Sequence, residues 1–165
     1  MFSQQFFSGI TVIDFTKVFG GPFATKTLAD YGATVIKIEF DTFPDPAKSF
    51  PPLHNGISGY YEMLNFHKSK LELNLKYEND RQRLFDLIQT ADVFVENMTP
   101  HVKKRLGIEA KTLCQKNPRL IYASLTGVDQ ESNRKYFDVI GQAESGLMSL
   151  SGSPQQPMKI GPSVI

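Results

Sequence analysis

Short apolar runs alternate with amphipathic stretches along most of the chain. Val12-Ile13-Asp14-Phe15 is apolar and rich in β-branched residues, which predicts a strand. Gly20-Gly21-Pro22 predicts a turn, and apolar residues at helical spacing from Phe23 to Asp30 predict a helix. Gly32 closes that helix, and Val35-Ile36-Lys37-Ile38 predicts a second strand. Strand, glycine turn, helix, glycine stop, strand is the pattern of one βαβ unit. Parallel strands joined this way put their carboxyl ends on one rim, where open α/β sheets hold ligands. The glycine turn is expected on that rim. There it lets a ligand approach the backbone, and the next helix directs N–H groups at an anion.

The rest of the chain continues the alternation. Asp41 to Ser58 holds Pro44, Pro46, Pro51, Pro52 and Gly56 and reads as a long loop, functional or mobile. Tyr60 to Phe66 reads as a helical turn. Lys70 to Leu75 alternates polar and apolar, which predicts a half-buried strand. Asn79-Asp80 is expected to cap a helix whose apolar stripe is Leu84, Leu87 and Ile88. Asp92-Val93-Phe94-Val95 predicts a strand, and Glu96 to Pro100 a turn. Val102 to Leu106 predicts a short basic helix stopped by Gly107. Glu109 to Lys116 predicts another, ended by Asn117-Pro118. Leu120 to Leu125 predicts a strand turned by Thr126-Gly127. Gln130 to Lys135 reads as polar loop, Asp138 to Leu150 as helix, and Ser151 to Pro154 as loop. Four or five strands alternating with helices predict an α/β layered domain with a largely parallel sheet.

Composition narrows the function classes. The 165 residues suit one domain with a real core, and 41% apolar with 21% charged residues is ordinary for a soluble globular chain. A net charge of +1 gives no reason to expect nucleic acid or a membrane surface as partner. The single cysteine, Cys114, fits a reducing compartment and reads as a small buried helix residue. There is no basic n-region at Met1 to Ser8 and no run of ~18 apolar residues. The expectation is a soluble, cytoplasmic protein. The chain stops on the apolar run Lys159 to Ile165, which suggests a fragment or a truncated gene product.

Candidate chemistry is sparse. The turn Phe19-Gly20-Gly21-Pro22 lacks the GxGxxG fingerprint of dinucleotide sites, and Pro22 removes an N–H that a pyrophosphate would use. Without a ligand, these glycines form only a tight strand–helix turn. Glu39 stands where a ribose-binding acid would. Lys17, Lys37, Lys76, Arg105 and Lys135 fall at or beyond strand ends. Singly each reads as surface charge, but several on one rim would suit a polyphosphate. His54, His67 and His101 have no metal spacing, and Ser124 and Ser145 no nucleophile-elbow pattern. Asp14, Asp30 and Asp138 are open candidates for acid–base work, with capping and turn roles as alternatives.

Several ordered segments nevertheless carry a resemblance. They are Leu28 to Ala33 with Val35 to Glu39, Leu73 to Lys76, Ala91 to Asn97 with Arg105-Leu106-Gly107, Asn117 to Tyr122, and Gln142 to Met148. With these, Gly9 to Ile165 resembles the amino-terminal part of a family III coenzyme A transferase. That family includes formyl-CoA:oxalate, carnitine and bile-acid-inducible CoA-transferases, with α-methylacyl-CoA racemases as relatives. The resemblance implies a Rossmann-like domain, helices on both faces, holding coenzyme A at its rim. Full members are more than twice this long and form intertwined dimers. The substrates implied are an acyl-CoA and a carboxylate, with no metal. An aspartate attacks the thioester and forms a mixed anhydride, then an aspartyl-CoA thioester. It would directly follow Ile165, so no catalytic residue is expected within the chain.

The implied coenzyme site comprises Lys17, Phe19, Gly20, Leu73, Lys76, Asn97, Met98, Arg105 and Lys135. Leu73 and Lys76 belong to the adenine end, and Arg105 to a phosphate. Phe40 replaces a usual basic residue, Met98 a common phenylalanine, and Phe19 the glutamine of the formyl-CoA enzyme near the thioester. Racemases carry a histidine where Phe137 stands, and phenylalanine offers no titratable proton, which favours the transferase. The alternatives are a racemase-like protein, a non-catalytic CoA-binding or interaction fragment, and a split gene with no independent fold.

Overall fold

The computed structural model describes residues 5–40, 43–127 and 131–161. The apolar run after Gly9 forms β1 (Thr11–Phe15), followed by α1 (Gly20–Asp30) and β2 (Thr34–Glu39). A 3₁₀ turn (Pro46–Ser49) and a small hairpin, β3 (Leu53–His54) with β4 (Ile57–Ser58), lead to α2 (Gly59–Asn65) and β5 (Ser69–Glu72). Then come α3 (Glu78–Thr90), β6 (Val93–Glu96), α4 (Pro100–Leu106), α5 (Ala110–Lys116) and β7 (Ile121–Ser124). The last part holds α6 (Asp138–Glu144), a 3₁₀ turn (Leu147–Leu150) and the hairpin β8 (Gly152–Ser153) with β9 (Gln156–Pro157).

Five strands form one parallel sheet in the order β5-β2-β1-β6-β7. The chain winds outward from β1 through β2 to β5, then returns to lay β6 on the other side of β1. That reversal opens a crevice at the carboxyl ends of β1 and β6. Side-chain alternation sorts the two faces. Ile13, Phe15, Ile38 and Phe94 meet Leu84, Ile88, Ile108 and Leu113 from the α3–α5 side. Val12, Val35 and Val95 meet Ala29 of α1 on the other. Burying each large side chain contributes about 1.5–3 kcal/mol, and Phe15 and Phe94 are fully buried at its centre. The domain is therefore α/β with a fully parallel central sheet and helices on both faces. Among the described residues no helix is long and apolar enough to cross a membrane.

Several expectations need correction. Gly20, Gly21 and Pro22 do not form a loop but are the first turn of α1. A Cβ at Gly21 would come within 2.7 Å of Thr16 Oγ1, so that glycine lets the helix seat on β1 rather than admitting a ligand. The expected strand Lys70 to Leu75 ends at Glu72; Leu73 and Leu75 turn into the core beyond it. Asn79-Asp80 does not cap α3, which starts from Tyr77 without a side-chain cap. Asp80 instead accepts the Asn74 N–H at 2.8 Å. The loop Asp41 to Ser58 contains the 3₁₀ turn and hairpin. The helix expected over Asp138 to Leu150 breaks at Gly146, whose φ of 78° is left-handed. The stretch Ser151 to Pro154 contains β8, paired with β9. Gln130 and the tail Pro162 to Ile165 lie outside the described residues.

Replacing Gly21 with alanine is expected to cost about 1–3 kcal/mol through overpacking against Thr16. Gly20→Ala, whose Cβ would meet only Leu125 at 3.9 Å, is expected to be neutral or stabilising. Urea denaturation of the two variants checks the contrast.

Candidate functional site

Asp14, fully buried in β1, is the anchor of the rim. Its carboxylate accepts from the Thr16 N–H at 2.9 Å and hydroxyl at 2.6 Å, from the Thr25 hydroxyl at 2.7 Å and from the Lys68 ammonium at 2.9 Å. Lys37, its register partner in β2, stands 3.9 Å away and donates to the Thr16 carbonyl. Burial works against the Asp14 charge, but Lys37 and Lys68 outweigh it and hold the carboxyl below its ordinary range. Lys37 is thus a buried partner, not the rim ligand that its strand-end position suggested.

The chain leaves β1 under restraint. The Lys17 N–H donates to Asn97 Oδ1 at 3.0 Å, and Asn97 Nδ2 donates to the Lys17 carbonyl at 2.8 Å. One amide side chain therefore clamps the backbone across the crevice between β1 and β6. Val18 follows with φ of 71°, a conformation that costs a β-branched residue about 1–3 kcal/mol. Its N–H is taken by the Asp45 carboxylate at 3.1 Å, which also accepts from the Ala47 N–H at 3.0 Å. The Lys17 ammonium donates to the Phe43 carbonyl and lies 3.4 Å from the Phe43 ring centroid. Burial pushes it down to about 8, against the pull of Asp45 and Glu39.

The two buried strand-end acids, Glu39 and Glu96, are also paired. Glu39 accepts from the Tyr61 hydroxyl and pairs with Lys48 at 2.8 Å. A cavity of about 280 Å³ opens there, lined by Glu39, Lys48, Ser58, Tyr61, Lys70 and Glu72 among others. Burial, reinforced by Glu39, pushes the Tyr61 phenol up. Glu96 pairs with Lys103 at 3.0 Å and accepts from the Tyr122 hydroxyl at 3.3 Å.

The profile of CoA-transferase family III matches residues 7–165. The chain belongs to that family. It is 41% identical to the acetyl-CoA:oxalate CoA-transferase of Acetobacter aceti over 154 residues, 92% of this chain and 40% of that protein. It is 36% identical to the succinyl-CoA:mesaconate CoA-transferase of Haloarcula marismortui over 168 residues, 94% of this chain and 42% of that protein. A CAIB/BAIF family protein from Brucella suis superposes with a TM-score of 0.84 at 30% identity, covering 94% of this chain and 43% of that one. The chain thus spans about 40% of the length of the curated relatives it matches.

In this family III chain, the residues singled out from sequence fall into three groups. Lys17, Phe19, Gly20, Asn97 and Met98 follow β1 and β6 at the crevice, and Lys17 and Asn97 meet directly. The Leu73 side chain is buried in the core, and its N–H donates to the Glu39 carbonyl at 2.9 Å. Lys76, Arg105 and Lys135 are exposed and have no ion-pair partner among the described residues; Arg105 lies in the last turn of α4. Asp30 is exposed and pairs with Lys26 and His67. Asp45, Lys68 and Tyr61 were not singled out. Only Asp45 carries a local signal, since Asp before Pro46 marks a helical start.

Lys17 and Lys68 are both held down at about 8, below the ordinary 10.5 of an unfolded lysine. Between those values the unfolded chain binds more protons, so stability rises with pH. Above about 10 the phenols of Tyr61 and Tyr122, held up in the fold, reverse the slope. Denaturant titrations are expected to show stability climbing from pH 8 to about 10, by a few kcal/mol at ~1.4 kcal/mol per pKa unit. Lys17→Met is expected to remove about half of that climb.

Proposed function

We propose that this chain is the coenzyme A-holding, amino-terminal part of an acyl-CoA:carboxylate CoA-transferase. The family profile over residues 7–165 carries the reading. The crevice at the reversal beside β1 supports it, because open parallel sheets bind ligands there. Lys76, Arg105 and Lys135 supply the exposed cations that a 3′-phosphate and pyrophosphate need, and the Asn97 clamp fixes the backbone from which Lys17 and Phe19 project.

The reacting carboxylate is proposed to be an aspartate directly following Ile165. Its oxygen attacks the thioester carbon, the C–S bond breaks, and CoA leaves as thiolate, with a mixed anhydride between the acyl group and the aspartate left behind. The thiolate then attacks the aspartyl carbonyl and releases the first carboxylate. The second carboxylate attacks the aspartyl thioester carbonyl and expels CoA as thiolate, giving a second mixed anhydride; the thiolate then attacks the acceptor's acyl carbonyl, forming the new thioester and releasing the aspartate. Phe137, 58% exposed, carries no proton to exchange, which favours transfer over racemisation. The whole protein is proposed to act as a cytoplasmic homodimer.

Calorimetry of the 165-residue chain with CoA is expected to show binding that weakens as salt is raised. Lys76→Ala and Arg105→Ala should each weaken it roughly tenfold, the size of one charge-assisted contact. No heat from a folded sample at millimolar CoA, or salt-independent affinity, rejects the assignment.

A further inference from the structure

Beside the β1 exit, four aromatic side chains from three separate segments form a continuous row. Phe19, the residue before α1, stacks on Phe23 with centroids 5.6 Å apart and planes 12° from parallel. It also meets Tyr60 at 6.1 Å, and Tyr60 meets Phe50 at 5.5 Å. Rings at these separations are packed against one another. Yet the row is not sealed: Phe23 is 53% and Phe50 36% exposed. Gly20, also exposed, adds no side chain next to Phe19.

The charges around this row are already committed. Lys37 faces Asp14 and Asp45, Lys68 is bonded to Asp14, and Lys48 pairs with Glu39. Lys17 is the neighbouring ammonium without a carboxylate ion pair among the described residues, and it is held on the Phe43 carbonyl between aromatic rings. Asp45 adds a fixed negative charge, bonded to the N–H of Val18 next to Phe19. Its field, added to burial, also raises the Tyr60 phenol. With Lys17 taken by one carboxylate, a second on the same substrate would meet apolar rings and an acid, with no further ammonium lacking a carboxylate partner beside the row among the described residues. Beside the Asp45 carboxylate a second negative charge would be repelled, with no ammonium to offset it among the described residues.

We propose that the Phe19–Phe23–Tyr60–Phe50 row makes this chain select an apolar monocarboxylic substrate, aryl or branched aliphatic, over a dicarboxylate. This rests on the transferase reading and names its substrate class. The row supplies ring faces for the apolar part, and the crevice provides for only one charged end.

Ligand-observed saturation-transfer NMR on this chain, with phenylacetate and succinate as probes, tests it. Phenylacetate is expected to give at least a fivefold stronger signal than succinate. Phe19→Gln and, separately, the exposed Phe23→Ser should each cut that signal several-fold while circular dichroism stays unchanged. Equal signals, no signal from either acid, or full phenylacetate signal in both folded variants overturns the proposal. CoA calorimetry on the same samples separates the two readings. CoA heat without phenylacetate contact rejects the aromatic selection alone. Phenylacetate contact without CoA heat supports the row and rejects the transferase assignment.

Discussion

A carboxylate sealed inside the central strand ties the rim together. Asp14 reaches Thr16 in its own strand exit, Thr25 in α1 and Lys68 ahead of β5, with Lys37 of β2 alongside. Removing a carboxylate and two ammonium groups from water is expensive, and their attraction repays that only when every lone pair and proton is used. Here both carboxylate oxygens are engaged, and Lys68 also donates to the Pro22 carbonyl at 2.8 Å and to Asn65 at 3.0 Å. Such a knot tolerates one arrangement of its elements. It therefore sets the angle at which α1 leaves β1, and with it the position of Phe19.

The same economy repeats around the rim. Each strand that ends on a buried acid, Glu39 in β2 and Glu96 in β6, meets a lysine and a tyrosine hydroxyl. Their negative charge is consumed within the fold by these partners. Asn97 and Asp45 add backbone restraint at Lys17 and Val18, where the chain is held in a strained turn. Strain of this kind persists only where surrounding contacts over-determine it. The exposed cations Lys76, Arg105 and Lys135 have no such partners among the described residues. The contrast between committed and uncommitted lysines is the electrostatic core of the coenzyme proposal.

The fold was largely legible. The runs at Val12, Val35 and Phe94 are strands in central or near-central places, where burial on both faces writes itself as continuous apolar sequence. Helix ends were less so. Gly20 and Gly21 look like a turn, yet α1 needs Gly21 because its first turn lies against Thr16. Asp80 looks like a cap, yet its oxygen serves Asn74 across the turn. The site was legible only in part. Lys17 and Asn97, eighty residues apart in sequence, were singled out as neighbours of a ligand, but that each holds the other could not be read from either segment.

Hydrophobic alternation, glycine placement and strand–helix order by themselves determined an α/β layered domain and a rim where ligands gather. They do so because burial is a one-dimensional property that each segment expresses locally. Ordered motifs likewise determined the family. Which lysines are spent and which are free is different in kind. Lys37 and Lys76 have equal standing in sequence, yet one is buried beside Asp14 and the other faces water. Only the packing of distant elements decides that, since a charge's partner is set by distance in space and not along the chain.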